Sequence, residues 1–272
     1  MSLGAFQETE LPRAAGVRQR SLRTVSQAGL LCCGVRVDAV AQHEAVDRLL
    51  DASGGLVVHL CNAYTLALAR TDPAYAQMLN EAGLNLPDGT PLAWLGRRES
   101  VEGFTHATRG ADILRDALVQ GQSRGTRHFF YGSTPEVIAL LQEQISIFAP
   151  EAIICGAESP AMAELDETVL RAAGRRMGEA NADIVWVGLG TPKQDWAVAA
   201  LGADLAAVLV PVGAAFDFLA GTKREAPAFL RGTGLEWLFR LASEPRRLWR
   251  RYLVGNSGFL WGVLRDGVEH VH

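Results

Sequence analysis

Two carboxylates in this chain stand where a general base could work. Asp88 lies in Leu86-Pro87-Asp88-Gly89 and is followed by Thr90-Pro91, a helix start that would hold the loop backbone in place. A carboxylate so placed can take a proton from a substrate hydroxyl, although Pro-Asp-Gly by itself also serves as a plain turn. Asp217 is the second, in Ala214-Ala215-Phe216-Asp217-Phe218 after the most apolar run of the chain. Its aromatic neighbours point to close packing, so Asp217, with Phe216, reads either as a helix cap or as a group that orients a hydroxylated ligand.

Two glycine turns suggest what else the site could hold. Gly132-Ser133-Thr134-Pro135 and Gly188-Leu189-Gly190-Thr191-Pro192-Lys193-Gln194 each bring glycines and a capping hydroxyl to the start of a helix. Unpaired N–H groups there attract an anion. Two such turns in one sheet suit a diphosphate, while each alone also serves simply as a helix start. Lys193 and Gln194 either contact the same ligand or are exposed residues of a first helical turn.

Missing motifs narrow the chemistry. Gly188-x-Gly190 lacks the third glycine of a dinucleotide fingerprint, and the chain has no Walker A sequence, no Gly-x-Ser-x-Gly elbow and no Tyr-x-x-x-Lys pair. It also has no Asp-x-Asp pair for a metal-held diphosphate, and Cys32, Cys33, Cys61 and Cys155 form no Cys-x-x-Cys pair. No metal or cofactor is therefore expected. If a diphosphate departs, backbone dipoles and arginines must carry its charge.

The elements that must position these residues alternate in type. Leu56 to Cys61, Arg127 to Tyr131, Ala152 to Cys155, Asp183 to Val187 and Ala206 to Val212 read as strands, with helices near 63–81, 111–124, 134–148, 164–180 and 192–201. This predicts an α/β fold, a Rossmann-like, mostly parallel sheet with helices on both faces. Ligands in such sheets bind beyond the carboxyl ends of the strands, where Asn62, Asp88, Gly132 and Gly188 fall. His59, inside a strand, reads as a core histidine, and His270 and His272 as unstructured.

Residues 1–30 lack a period and read as a flexible leader, 31–222 as the core, and 223–272 as a basic helical appendage. The formal charge of −4 hides this asymmetry: residues 223–265 hold nine Lys/Arg against three Asp/Glu, and residues 1–222 hold seventeen against twenty-five. Placed on a helix, Arg246, Arg247, Arg250 and Arg251 share an arc of about 140°, with Leu248, Trp249, Tyr252 and Leu253 opposite. Such a helix can lie in a membrane interface or pair with phosphates, or pack on the core with a solvated arginine face. No run of apolar residues is long enough to span a membrane or to act as a secretory signal, so a cytoplasmic protein is expected. The acidic body argues against a nucleic-acid partner.

Three stretches together resemble the WecG/TagA/CpsF family of bacterial glycosyltransferases. They are Asn62-Ala63 with Asp88 26 residues after Asn62, Val187 to Gln194, and Val212 to Gly221 running into Gly234-Leu235-Glu236-Trp237 and Glu244 to Tyr252. The likeness covers roughly residues 34–262. It implies an inverting, metal-independent enzyme that moves a sugar, of N-acetylmannosamine, glucose or glucuronic type, from a UDP-sugar to a polyprenyl-diphosphate-linked acceptor. The work would be done peripherally on the inner face of the cytoplasmic membrane, in cell-surface polysaccharide synthesis. The family's base aspartate falls on Asp88 and its strand-end asparagine on Asn62. The candidate donor pocket takes in Asn62, Thr65, Gly89, Gly132, Ser133, Gly188, Gly190, Lys193, Gln194, Phe216 and Asp217; candidate leaving-group or membrane contacts are Arg240, Arg246, Arg247, Arg250 and Arg251. Leu60-Cys61-Asn62 stands where many members have Thr-x-Asn, and Ala107 where many have an arginine before Gly-x-Asp. The rival readings are a Rossmann-type nucleotide-sugar-modifying enzyme and a nonenzymatic membrane-binding scaffold, and self-association as a homo-oligomer stays open.

Overall fold

The computed structural model describes residues 28–271 apart from 102–103, 105–107, 161–165, 228–229, 231–232 and 234, and apart from the side chains of Arg247 and Val254. The expected leader lies outside the described residues up to position 27. Its last two positions instead open a strand.

The centre is a parallel sheet. Strands β5 (Arg127–Gly132), β6 (Ile153–Glu158), β7 (Ile184–Gly188) and β8 (Val208–Pro211) run in the order β6-β5-β7-β8, all parallel. A second parallel pair, β3 (Val58–Cys61) with β4 (Leu84–Pro87), continues this layer past β8 through the Val57–Leu209 bridge and a Leu209 N–H donated to the Leu56 carbonyl at 2.8 Å. Strands buried on both faces explain the unbroken apolar runs in the sequence. In β7, Ile184 and Trp186 enter one core and Val185 and Val187 the other, as a period of two requires.

One face is covered by α1 (Gln42–Asp51), α5 (Gly110–Gly121), α6 (Pro135–Phe148) and α9 (Ala215–Leu219), the other by α7 (Glu167–Glu179) and α8 (Lys193–Leu201). The helix expected over 63–81 is two helices, α2 (Ala63–Thr71) and α3 (Pro73–Glu81). Asp72 divides them: its side chain accepts from the Ala74 and Tyr75 N–H groups, and Pro73 takes the first helical position, where its missing N–H costs nothing. A short α4 (Thr90–Arg98) follows β4.

The C-terminal segment is woven into the body. After α10 (Glu236–Ser243), α11 (Pro245–Asp266) runs well past the arginine segment and lies along α2. Glycines make the close approach: a Cβ at Gly255 would lie 2.8 Å from Tyr64 Cδ2, one at Gly258 would lie 3.3 Å from the Ala67 Cβ, and one at Gly262 would lie 2.6 Å from Cys33 Sγ. The chain ends in β9 (Val268–Val271), antiparallel to β1 (Gly29–Cys32), which also pairs with β2 (Val35–Asp38). His270 is therefore part of a strand, 3.5 Å from a Glu99 carboxylate oxygen, rather than unstructured; His272 lies outside the described residues.

Candidate active site

Four strand ends meet at one cavity of about 230 Å3. At the end of β3, Asn62 caps α2, its Oδ1 accepting the N–H groups of Tyr64 at 3.1 Å and Thr65 at 3.2 Å. That use of the oxygen turns the amide nitrogen towards the next strand end, where Asn62 Nδ2 donates to Asp88 Oδ2 at 3.3 Å. The Asp88 N–H donates to the Cys61 carbonyl at 2.8 Å, so backbone and side chain are both tied to β3. Gly89, at φ +85°, supplies the left-handed turn that starts α4 and leaves the carboxylate at the cavity floor.

The surroundings of Asp88 set its acidity. Its carboxyl lies deep below the protein surface while keeping an open edge to the cavity, and this burial pushes it above the usual carboxylate value. The Asn62 hydrogen bond and the guanidinium groups of Arg251, Arg240 and Arg109 pull the other way without cancelling the rise. In its ionised form, a base of raised pKa takes a hydroxyl proton more readily than an ordinary aspartate.

The roof comes from the C-terminal helices. Arg240 of α10 lies 5.2 Å from the Phe218 ring centroid, and Arg251 of α11 lies 5.3 Å from that of Tyr64. Burial, and Arg240 beside it, push the Arg251 guanidinium below its ordinary value. Two cations thus share the space above one carboxylate, an excess of positive charge suited to a dianionic group. The third wall is the β7–α8 turn, where Gln194 Oε1 accepts the Gly190 N–H at 2.9 Å, with Gly213 of the β8 end packed at Gln194.

Of the residues singled out in the sequence, Asn62, Asp88, Gly89, Gly190, Gln194, Arg240 and Arg251 line this cavity. The others stand elsewhere. Thr65 is buried behind Asn62, its hydroxyl 3.4 Å from Asn62 Oδ1. Ser133 donates its N–H to the Gly188 carbonyl at 3.0 Å, so the Gly132–Ser133 turn clamps β5 to β7. Gly188 gives room to the Phe216 ring, which sits in the core edge-on to Phe130. Asp217 pairs with Lys223 at 3.1 Å, and Lys193 is outside the cavity wall. Arg246 and Arg250 are exposed on α11, and the Arg247 side chain lies outside the described residues. Docking of α11 on α2 turns Arg251 into the cavity and leaves Arg246 and Arg250 exposed.

Arg109, Tyr64, Trp237 and Tyr252 also line the cavity and were not singled out as site residues. Arg109 carries three ion pairs, to Asp112 at 3.3 Å, Glu225 at 3.4 Å and Glu236 at 3.7 Å, and so ties α5 to the C-terminal segment. These carboxylates outweigh the cost of its burial and raise its pKa. Its place directly before Gly110-Ala111-Asp112 was the available signal. His59 is a core histidine, with Nδ1 3.1 Å from Asp195 Oδ1, whose partner oxygen accepts the Tyr75 hydroxyl at 2.8 Å.

The family model for the glycosyl transferase WecG/TagA/CpsF family matches residues 30–271. The chain belongs to this family. It is a glycosyltransferase of the WecG/TagA/CpsF type, and the match runs through the C-terminal helices as well as the sheet. Similar proteins include the N-acetylglucosaminyldiphosphoundecaprenol N-acetyl-beta-D-mannosaminyltransferase of Bacillus spizizenii strain W23, 28% identical over 205 residues, covering 75% of this chain and 77% of that protein. The proteins of the same name in Bacillus subtilis strain 168 and Staphylococcus aureus strain MW2 are 27% and 26% identical, covering 75% and 73% of this chain and 77% and 76% of theirs. Among the described residues, no helix of this WecG/TagA/CpsF member is long and apolar enough to cross a membrane.

Proposed function

We propose that this glycosyltransferase moves an N-acetylmannosamine-type sugar from a UDP-sugar to a polyprenyl-diphosphate-linked saccharide, by single displacement and without a bound metal. The observation that carries this is the Asn62-held Asp88 at 3.3 Å, at the floor of a cavity roofed by Arg240 and Arg251. Asp88 takes the proton of the acceptor hydroxyl as that oxygen attacks the sugar carbon. The bond from that carbon to the diphosphate breaks, and the guanidinium groups carry the charge of the departing UDP. The Gly190 turn and the Gly213 strand end border the donor. The names of the relatives support the acceptor class and the sugar. Glucose and glucuronic-type donors remain the alternatives to be compared.

The second part of the proposal is that the enzyme works as a peripheral protein on the inner face of the cytoplasmic membrane. Leu238 on α10 and Trp249, Leu253, Leu260, Trp261 and Leu264 on α11 are exposed, with Arg246, Arg250 and Arg265 among them. Apolar side chains flanked by arginines suit the boundary of an anionic bilayer. It would place the cavity beside lipid-borne acceptors.

The test is a transfer assay with a panel of UDP-sugars and a short-chain polyprenyl-diphosphate N-acetylglucosamine. Transfer of N-acetylmannosamine in the presence of a chelator is expected. Stabilisation of the protein by NAD and not by UDP or any UDP-sugar would overturn the reading.

A further inference from the structure

The cavity is acidic and polar at its floor but aromatic on one side of its roof. Trp237 of α10 and Tyr252 of α11 both line it, their ring centroids 5.9 Å apart and their planes at 50°. Neither ring belongs to the apolar cores of the molecule, and both keep part of their surface open. The same cavity is lined by the polar side chains of Asn62 and Asp88, with Gly89 beside them. Tyr252 is close enough to Asp88, Arg240 and Arg251 to feel the charge of each.

A pyranose ring has the complementary build. Its hydroxyl groups lie around its edge, while its faces present C–H groups of slight positive charge, which are drawn to the negative face of an aromatic ring. A sugar stacked on these rings would turn its edge towards the carboxylate floor. We propose that Trp237 and Tyr252 form the stacking platform for the acceptor sugar and hold its attacking hydroxyl at Asp88. This rests on the reading of Asp88 as the acceptor's base, because the sugar that gives up a proton to Asp88 must be the one lodged against it. The platform's own helices also carry the exposed Leu238, Trp249 and Leu253, so a lipid attached to the acceptor has an apolar surface to follow.

The experiment uses the full-length protein and two probes, a water-soluble short-chain polyprenyl-diphosphate N-acetylglucosamine and UDP, each titrated by calorimetry. Trp237→Leu and Tyr252→Leu keep apolar volume but lose the ring, and each should weaken the saccharide probe about tenfold while leaving UDP affinity unchanged. Trp237→Phe and Tyr252→Phe keep a ring and should bind nearly as the wild type does. In saturation-transfer NMR of the wild type, irradiation of aromatic protons should reach the C–H protons of the sugar more strongly than those of the lipid chain. Leucine variants that bind the saccharide as the wild type does, or a wild type whose aromatic protons pass no saturation to the sugar ring, would overturn the platform. Loss of UDP binding in the wild type would instead reject the donor reading, with the saccharide titration and the NMR still deciding the platform.

Discussion

Arg251 leans from the first third of α11 onto the ring of Tyr64, its guanidinium carbon 5.3 Å from the ring centroid, and Tyr64 is one of the two residues whose N–H groups the Asn62 cap holds. The amide that caps α2 also donates to Asp88. One short stretch at the end of β3 therefore holds the Asp88 carboxylate, and the same stretch carries the surface on which the cation of the C-terminal helix rests. The docking of α11 on α2 thus completes the roof of the cavity.

Asp88→Asn keeps the shape of the side chain and removes the proton acceptor. Turnover should fall by roughly two to four orders of magnitude, while UDP binding measured by calorimetry persists. Near-normal turnover would remove Asp88 from the base role.

The acid side of the pH profile should report the same group. The base acts when ionised, so kcat/KM falls as pH drops through the Asp88 pKa, which burial has raised. Arg251 is one of the groups holding that pKa down. Arg251→Met should therefore shift the acid limb to higher pH, apart from any loss of rate, and Arg251→Lys should move it less. A limb that stays in place in Arg251→Met would separate the two residues.

Much of this arrangement was legible in the chain. The sheet strands declare themselves as short Val, Ile and Leu runs because both faces are covered, and Asp88, Gly190 and Gln194 follow strand ends, where ligands bind in such sheets. What the sequence concealed depends on distant partners. Strands β1 and β2 are four residues each and close their sheet with β9 from the far end of the chain. Gly255, Gly258 and Gly262 argue locally against a long helix, yet they let α11 approach α2. Arg109 has meaning only through Glu225 and Glu236, which sit in another part of the sequence. Asn62 and Asp88 were readable as a pair only through their spacing within a family pattern.

His128 gives the fold a built-in sensitivity to acid. Its ring lies inside the sheet, Nδ1 accepting the Trp186 indole N–H at 3.1 Å, and burial pushes the imidazole down to about 4. Unfolded histidine binds a proton near pH 6.5, so between about 6.5 and 4 the unfolded chain holds the extra proton and stability falls as pH falls. The loss should reach about 3 kcal/mol by pH 4. His128→Gln, which can still accept from Trp186, should flatten that part of the curve in urea unfolding followed at several pH values. An unchanged pH slope would assign the loss to other groups.

Gly255→Leu should separate the docking of α11 from the fold of the sheet. The new side chain would run into Tyr64, whose Cδ2 lies 2.8 Å from a Cβ at position 255. Lifting the helix draws Arg251 and Tyr252 away from the cavity, and turnover should fall about a hundredfold through lost charge stabilisation. Circular dichroism should keep the β-sheet signal. Full activity in this variant would show that the helix works without its contact to α2.

The outer side of the same helix should decide membrane attachment. Trp249, Leu253, Leu260 and Leu264 fall within an arc of about 60°, and their exposures of 44%, 57%, 58% and 78% leave that arc with little cover from the chain itself. Each large apolar side chain that enters a bilayer boundary contributes on the order of 1–2 kcal/mol, and Arg246, Arg250 and Arg265 add attraction to anionic headgroups that salt weakens. Trp249→Ser combined with Leu253→Ser should therefore lower sedimentation with phosphatidylglycerol vesicles by about tenfold or more, at low and high salt alike. Arg246→Gln with Arg250→Gln should weaken binding mainly at low salt. Since none of these four side chains lines the cavity, transfer to a short, water-soluble acceptor should continue in both variants while transfer to a vesicle-borne one declines. Equal losses on the two acceptors would mean that this face supports the site and not the membrane.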